Sequence, residues 1–422
     1  MICEPLELEY VGAVLMPEHE VNLYDMILEK LSLEAILEAE QPDLVAMTGY
    51  IAHVGVIKAM SDRVKAVSPQ IITVVGGVHA EVIPEDFEAS SLDYILSANG
   101  LKHIQAIAAG EPTPRIILEE KACTFDYPLP ARHLADRYRS AYYYMFHNPC
   151  SLIKTSFGCP YSCSFCFCKE ITDGKYFARP VDQVLDEIES IAESEIYIVD
   201  DDFLFNRKRL LDFCQGLKDR EIHKRYLVYG RADFIAENQD VMATLKEVGL
   251  RAVIVGLESY SDVELDTYDK KSHISASETA LACLSALDIE CYGTFIIGAD
   301  WTKGDFKGLK AFIRRNHLQF VNLQPLTPMP GTALFPQYAD QLVIPRTEYY
   351  AWDMAHLVIK PTHLSLRQYY FEIVKLYYSI TLHPKMILRA LLKYPLRENI
   401  ALSIGANRVM WQYIQRIIKG TP

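Results

Sequence analysis

Long apolar runs are missing from this 422-residue chain. No stretch of 18 residues is both apolar and uncharged, which excludes a transmembrane helix. An excess of positive charge is missing too. The net charge is −13, and an acidic chain is a poor partner for nucleic acid, whose binding rests on neutralising phosphates. Cysteine is sparse, ten in all, and no signal-like segment opens the sequence. That disfavours a disulfide framework, and free thiols fit a reducing cytoplasm. Repeats and low-complexity stretches are absent. What is present is a chain half hydrophobic and 23% charged, the composition of a globular protein with ample core. Its length suits two domains and a tail.

The charge is unevenly spread. From Leu364 to Pro422 there are nine Lys and Arg against Glu372 and Glu398, so the tail carries +7 and the remainder −20. Within it, Leu366, Tyr369, Tyr370, Ile373, Val374 and Tyr377 recur at helical spacing, and 385–393 is basic and amphipathic. This helical tail, 346–422, is expected to cap the preceding domain, to lie on an anionic lipid surface or to cover a greasy substrate.

In the N-terminal third, the apolar runs Leu44–Thr48 and Ile71–Val75 bracket a helix-like stretch, 56–67. With strands expected at Glu20–Tyr24 and Leu92–Leu96, the pattern reads as βαβ units of a doubly wound, Rossmann-like α/β domain over 1–125. Such domains bind ligands at the carboxyl ends of their strands, where Thr48, Gly49, Gly76 and Gly77 fall. Glycines there admit a ligand backbone, or merely form a tight turn.

After a linker over 126–149, residues 150–345 alternate strands and helices, the signature of a parallel barrel or partial barrel. Catalytic groups of barrels lie at the strands' C-terminal ends, where Asp200, Asp201, Arg231, Glu258 and Gly298 stand. Three adjacent carboxylates, Asp200 to Asp202, repel unless cations or amines are near. Ahead of them, Cys159, Cys163 and Cys166 are spaced C-x3-C-x2-C. Three thiolates on one loop suit three corners of a 4Fe–4S cluster and leave one iron open. Zinc would need a fourth ligand, and Cys168 gives an awkward spacing for it. The scattered cysteines, Cys3, Cys123, Cys150, Cys214, Cys283 and Cys291, read mostly as buried small hydrophobes.

The cysteine run, with Phe165 before its last thiol, resembles the radical S-adenosylmethionine (SAM) superfamily. Val199-Asp200-Asp201-Asp202-Phe203, Gly230-Arg231-Ala232-Asp233, Gly256-Leu257-Glu258-Ser259 and Thr327-Pro328-Met329-Pro330-Gly331-Thr332 resemble its cobalamin-associated branch. Met47-Thr48-Gly49 and Val75-Gly76-Gly77-Val78-His79-Ala80 are similar to the cobalamin-binding domain that precedes many such barrels. The resemblance implies a partial (β/α)6 barrel and a 4Fe–4S cluster on Cys159, Cys163 and Cys166. It also implies SAM on the open iron, seated by Asp200 or Asp201, Arg231, Glu258 and Gly298, with Phe165 at the cluster. Thr48, Gly49, Gly76 and Gly77 would line the slot for the nucleotide tail of cobalamin. The chain departs from the family in three places. Only Met1-Ile2-Cys3 precede the first matching segment, so a first strand is short or missing; Ser97-Ala98-Asn99-Gly100 replaces a G-E-G-E-like run; and D-x-H-x-x-G is absent. His53 and His79 are weak candidates for a cobalt ligand, and Trp352, Asp353 and His356 resemble a region near substrate in relatives.

The expected activity is methylation of an unactivated carbon of a small or hydrophobic substrate through a 5′-deoxyadenosyl radical, with an electron donor such as flavodoxin or ferredoxin. Two alternatives stay open: ring formation or rearrangement with the same cofactors, and a radical SAM enzyme whose N-terminal domain is a scaffold without cobalamin. Replacing Cys159, Cys163 or Cys166 with Ala is expected to abolish SAM cleavage, and Cys168→Ala to retain it, as read by 5′-deoxyadenosine formation under reducing conditions.

Overall fold

The computed structural model describes residues 1–122 and 124–422, with the side chains of Lys385 and Arg389 set aside. Cys123 lies outside the described residues.

The N-terminal unit is a parallel three-stranded sheet in the order β1 (Leu44–Thr48), β2 (Ile72–Gly76), β3 (Tyr94–Ile95). Strand alternation divides its core. Val75 faces a cluster with Val54, Ile57 and Phe87, whereas Val74 packs with Val14, Leu15, Ile104 and Ile107. Helix Val54–Val67 thus covers one face, and helices Leu6–Leu15 and Gly100–Ala108 the other, as a doubly wound domain requires. The strand expected over Glu20–Tyr24 does not form. Leu23 is instead buried by Ala135, Tyr138 and Tyr142, its carbonyl accepts from Arg137, and the Arg137 guanidinium lies 4.2 Å from the Tyr24 ring centroid. Packing against these downstream residues takes the place of sheet pairing.

The second unit holds a parallel six-stranded sheet in chain order: β4 (Cys150–Ile153), β7 (Glu195–Ile198), β8 (Arg225–Gly230), β9 (Leu250–Glu258), β10 (Glu290–Ile297), β11 (Phe320–Pro325). A short antiparallel pair, β5 (Ser156–Phe157) and β6 (Phe177–Ala178), frames the cysteine loop. The alternation again separates two faces. Ile196, Val228, Val253, Val255 and Ile297 pack outward on the helices, and Tyr197, Leu227, Ala252, Ile254 and Tyr292 fill the inner face. The helices are cut by local signals: Asn206 caps Arg207–Asp219, Thr302 with Asp305 forms a capping box on Lys303–Arg315, and Ser365 with Gln368 forms one on Leu366–Thr381. Tyr369, Tyr370 and Ile373 of that last helix are buried against the sheet's outer helices, so it is the cap expected of the tail.

The 126–149 stretch, read from sequence as a linker, is part of the core. It carries a 3-10 helix, Arg132–Ala141, whose arginines meet a set of fully buried acids. Arg132 pairs with Glu4 at 2.5 Å and Glu187 at 2.6 Å; Arg139 also pairs with Glu4; Arg179 takes the other oxygen of Glu187. Glu4 further accepts from the Leu152 amide of β4. The first helix is thereby fixed to the barrel, with Leu6 and Tyr10 inserted into the inner-face cluster.

Glu9 is the outlier of this network. Its oxygens have no hydrogen-bond partner and lie 3.7–3.8 Å from Arg139 and Arg132. Burial, and then Glu4, pushes its pKa up to about 8. A carboxyl whose folded pKa exceeds its unfolded value binds more protons when folded, so its contribution to stability falls as pH rises from about 4.5 to about 8. Glu9→Gln cannot ionise and is expected to flatten that part of the Tm-versus-pH curve in thermal melts.

Candidate active site

The cysteine loop leaves β5 at Gly158 and is held at several points. Cys166 N donates to Cys163 O, closing a turn; Ser164 N donates to Tyr268 O, and Ser164 O accepts from Leu334 N. The Ser162 hydroxyl donates to Asp269. Cys159, Cys163 and Cys166 therefore share one braced loop, each partly exposed. Among the described residues no three His, Cys, Asp or Glu side chains already form a metal-holding group. Burial pushes the Cys159 thiol up to about 12 and raises that of Cys163, while a hydrogen bond from Cys168 lowers that of Cys166. The Arg231 guanidinium reaches Cys163 Sγ at 3.9 Å and lies 3.7 Å from the Tyr161 ring centroid. The donor set fits a cluster with three thiolates, and the nearby cation fits its negative charge.

The three successive aspartates after β7 have three different environments. Asp200 is saturated: Oδ1 accepts from the amides of Thr155 (2.6 Å) and Ser156 (3.0 Å), and Oδ2 from their hydroxyls (2.5 and 2.6 Å). It anchors the start of the cysteine loop and has no capacity left for a ligand. Asp201 accepts from the Gly158 amide at 2.9 Å and from the Cys168 thiol at 3.5 Å, and lies 3.4 Å from Lys154. Asp202 is 2% exposed, and neither of its oxygens has a partner. Burial pushes its pKa up to about 7. Sequence reading named Asp200 and Asp201 and passed over Asp202; a triple acid gives no sign of which member stays free.

At the other strand ends, Arg231 is committed to Asp233 (2.7 Å) and to the Lys270 carbonyl (2.7 Å) as well as to Cys163. Glu258 has φ +62 and pairs with the buried Lys270 at 3.1 Å, an ion pair the sequence did not reveal because its members lie twelve residues apart on either side of the helix Asp262–Thr267. Gly298 does not offer the open backbone face expected of it. A Cβ there would meet Asp300 and Trp301 at 2.6 Å, so this glycine serves close packing. Trp352 is buried and His356 is bound by Asp353 and Arg416 of the last helix, which makes that region a latch on the tail.

Across from the loop stand the strand ends of the N-terminal unit. Gly77 has φ +99, and a side chain on it would collide with Thr48 Oγ1; Gly49 packs on His53 in the same way, and Gly76 adjoins in register with Thr48. Gly49 and Gly77 thus let the two strand ends pack closely, and Gly76 beside them meets only Leu96, at 3.6 Å. His53 Nδ1 accepts from the Tyr50 amide, and buried His79 pairs with Asp86 at 2.9 Å, so both imidazoles have structural partners. Asn99 pins the 119–122 segment through Glu119, Glu120 and Ala122. Just after Gly49, Ile51 joins the apolar cluster of Ile296, Leu326 and Met329 on which Phe165 packs. Tyr50 and Tyr229 keep 56% and 38% of their surface accessible, and the surrounding chain raises both phenols by desolvation.

The B12 binding domain family model matches residues 1–107, and the radical SAM superfamily model matches residues 153–313. The chain belongs to the radical SAM superfamily, in its B12-binding branch. It is 26% identical to the hopanoid C-3 methylase of Methylococcus capsulatus over 396 residues, 88% of this chain and 75% of that one. Its fold matches the cobalamin-dependent S-adenosylmethionine radical enzyme OxsB, solved with aqua-cobalamin and S-adenosylmethionine, at TM-score 0.72 and 17% identity over 98% of this chain and 70% of that one. The radical S-adenosylmethionine methyltransferase TsrM of Kitasatospora setae, solved with tryptophan and a SAM analogue, matches at TM-score 0.65 and 18% identity over 80% and 73%. The cofactors of this radical SAM enzyme are thus a 4Fe–4S cluster, SAM and cobalamin. The braced thiols and the free Asp202 suit the first two, and the glycine-bearing strand ends suit the third.

Asp200→Asn is expected to lower stability by about 3 kcal/mol, since it loses hydrogen bonds to a charged acceptor. Asp202→Asn removes an unpaired buried carboxylate and is expected to leave stability unchanged or raised. Denaturant melts of the two apo variants check this.

Proposed function

We propose that this radical SAM enzyme methylates an unactivated carbon of a small hydrophobic molecule. The observation that carries the reading is the meeting of the N-terminal strand ends with the braced three-thiol loop: Ile51, just after Gly49, and Phe165 of the loop pack on one apolar cluster. When bound, the cluster with SAM supplies a carbon-centred radical, and cobalamin supplies the methyl group. In this reading Cys159, Cys163 and Cys166 hold the cluster. Asp202 is left free to accept a cofactor amine, Glu258 with Lys270 faces the cofactor's polar groups, and Arg231 balances the thiolate charge. Asp200 and Asp201 act through the loop they brace. Thr48, Gly49, Gly76 and Gly77 admit the cobalamin nucleotide tail.

Support for a hydrophobic substrate comes from a relative named for methylating a hopanoid. The one electron that each turnover needs would come from a small carrier such as flavodoxin or ferredoxin. A peripheral membrane contact through the basic tail accords with a greasy substrate.

The test is anaerobic incubation of enzyme reconstituted with iron, sulfide and hydroxocobalamin, given methyl-labelled SAM and an apolar extract of the source organism. Label in an extract component together with 5′-deoxyadenosine is the expected result. Deoxyadenosine without label transfer would point to ring formation or rearrangement. No corrin absorbance after reconstitution would sink the reading.

A further inference from the structure

We propose that the two last helices form a docking surface for an anionic lipid bilayer. The inference rests on the peripheral contact named above, though not on the chemistry. Helix Leu366–Thr381 is the packed cap. The next two, Pro384–Lys393 and Leu396–Lys419, are packed only in part: in the longer one Met410 and Tyr413 are buried and Ile414 and Ile417 lean on the same core, while its first half is exposed. The pair is a rigid hairpin, because the Asn399 amide donates to the carbonyls of Ala390, Tyr394 and Pro395 across the bend.

This hairpin exposes several large apolar side chains. Leu388, Leu392, Leu396, Ile400, Ile404 and Trp411 are 51–79% exposed. On the longer helix Leu396, Ile400, Ile404 and Trp411 fall within an arc of about 80°, taking roughly 100° per residue. Arg397 and Arg408, both exposed, border that arc. Apolar side chains in a stripe with arginines at its margin let the aliphatic stems lie at the acyl boundary and the guanidinium groups reach lipid phosphates. Among the described residues no helix is long and apolar enough to cross a membrane, so the surface lies in the interface rather than through it.

Charge decides the occupant. The tail carries +7 against −20 for the rest of the chain, so an anionic surface attracts this end and repels the remainder, orienting the molecule. A second copy of the chain would bring two basic hairpins together. The hairpin also emerges at the end of the barrel opposite the cysteine loop. Lys393 reaches Asp288 and Glu290 at the start of β10, and Tyr394 stacks on Phe146 beside Phe320 at the start of β11. Docking therefore leaves the cysteine loop uncovered.

The experiment is flotation of the full-length, cofactor-loaded protein with vesicles of phosphatidylcholine alone or mixed with phosphatidylglycerol. Binding to the mixed vesicles is expected, weakening with salt, and about tenfold weaker in Leu392→Glu and Ile400→Glu, which alter exposed positions only. Tryptophan emission should shift to the blue on binding; Trp301 and Trp352 are buried, so Trp411 reports it. Three results would overturn the proposal: no binding to mixed vesicles at low salt, equal binding to neutral ones, or a dimer by light scattering that both variants dissolve. Transfer of label from SAM in detergent is expected to survive both substitutions. If vesicle binding fails while transfer proceeds, the docking surface falls alone and the methylation reading stands.

Discussion

The buried cluster of Glu4, Glu187, Arg132, Arg139 and Arg179 holds the two units of this protein in one arrangement. Breaking a buried pair by removing one partner costs about 3–5 kcal/mol, because the other charge is left without compensation. Such a network tolerates little displacement of its members. Its residues come from the segment just before the first helix (Glu4), the 132–141 segment (Arg132, Arg139), the position after β6 (Arg179) and the helix Val181–Ser190 (Glu187). These five side chains tie the start of the chain to the barrel that carries the cysteine loop.

A second constraint acts at the mouth of the barrel. Three consecutive carboxylates would repel if they shared one environment. The fold separates them: Asp200 is satisfied by two amides and two hydroxyls, Asp201 by an amide, a thiol and a lysine, and Asp202 by no protein group. The first two hold the loop on which the thiols sit, and the third keeps unmet hydrogen-bonding capacity in a buried place. Unmet capacity of this kind costs stability in the apo protein and favours a ligand that supplies donors.

The tail divides along similar lines. Its first helix buries tyrosines and isoleucine against the barrel, and its last two present leucines, isoleucines and an indole to solvent. The cap expected of the tail is its first helix, extended by Met410 and Tyr413 of the last one.

Sequence alone determined the order of strands and helices in the barrel, the three thiols and the glycines of the N-terminal strand ends. Each of these is local: periodicity of two or 3.6, a spacing within eight residues, or a glycine at the end of an apolar run. Glu20–Tyr24 reads as a strand in isolation and lost that pairing to a contact more than 100 residues away. The 126–149 stretch reads as a linker because arginines usually face water; only the folded chain brings Glu4 and Glu187 to them. Gly298 reads as an open face until Trp301 folds back on it. The same holds for the aspartates, since which carboxylate is spent on Thr155 and Ser156 depends on how β4, β5 and β7 meet. Tertiary structure decided these points because a buried charge is settled by its neighbours in space, and those neighbours are distant in the chain.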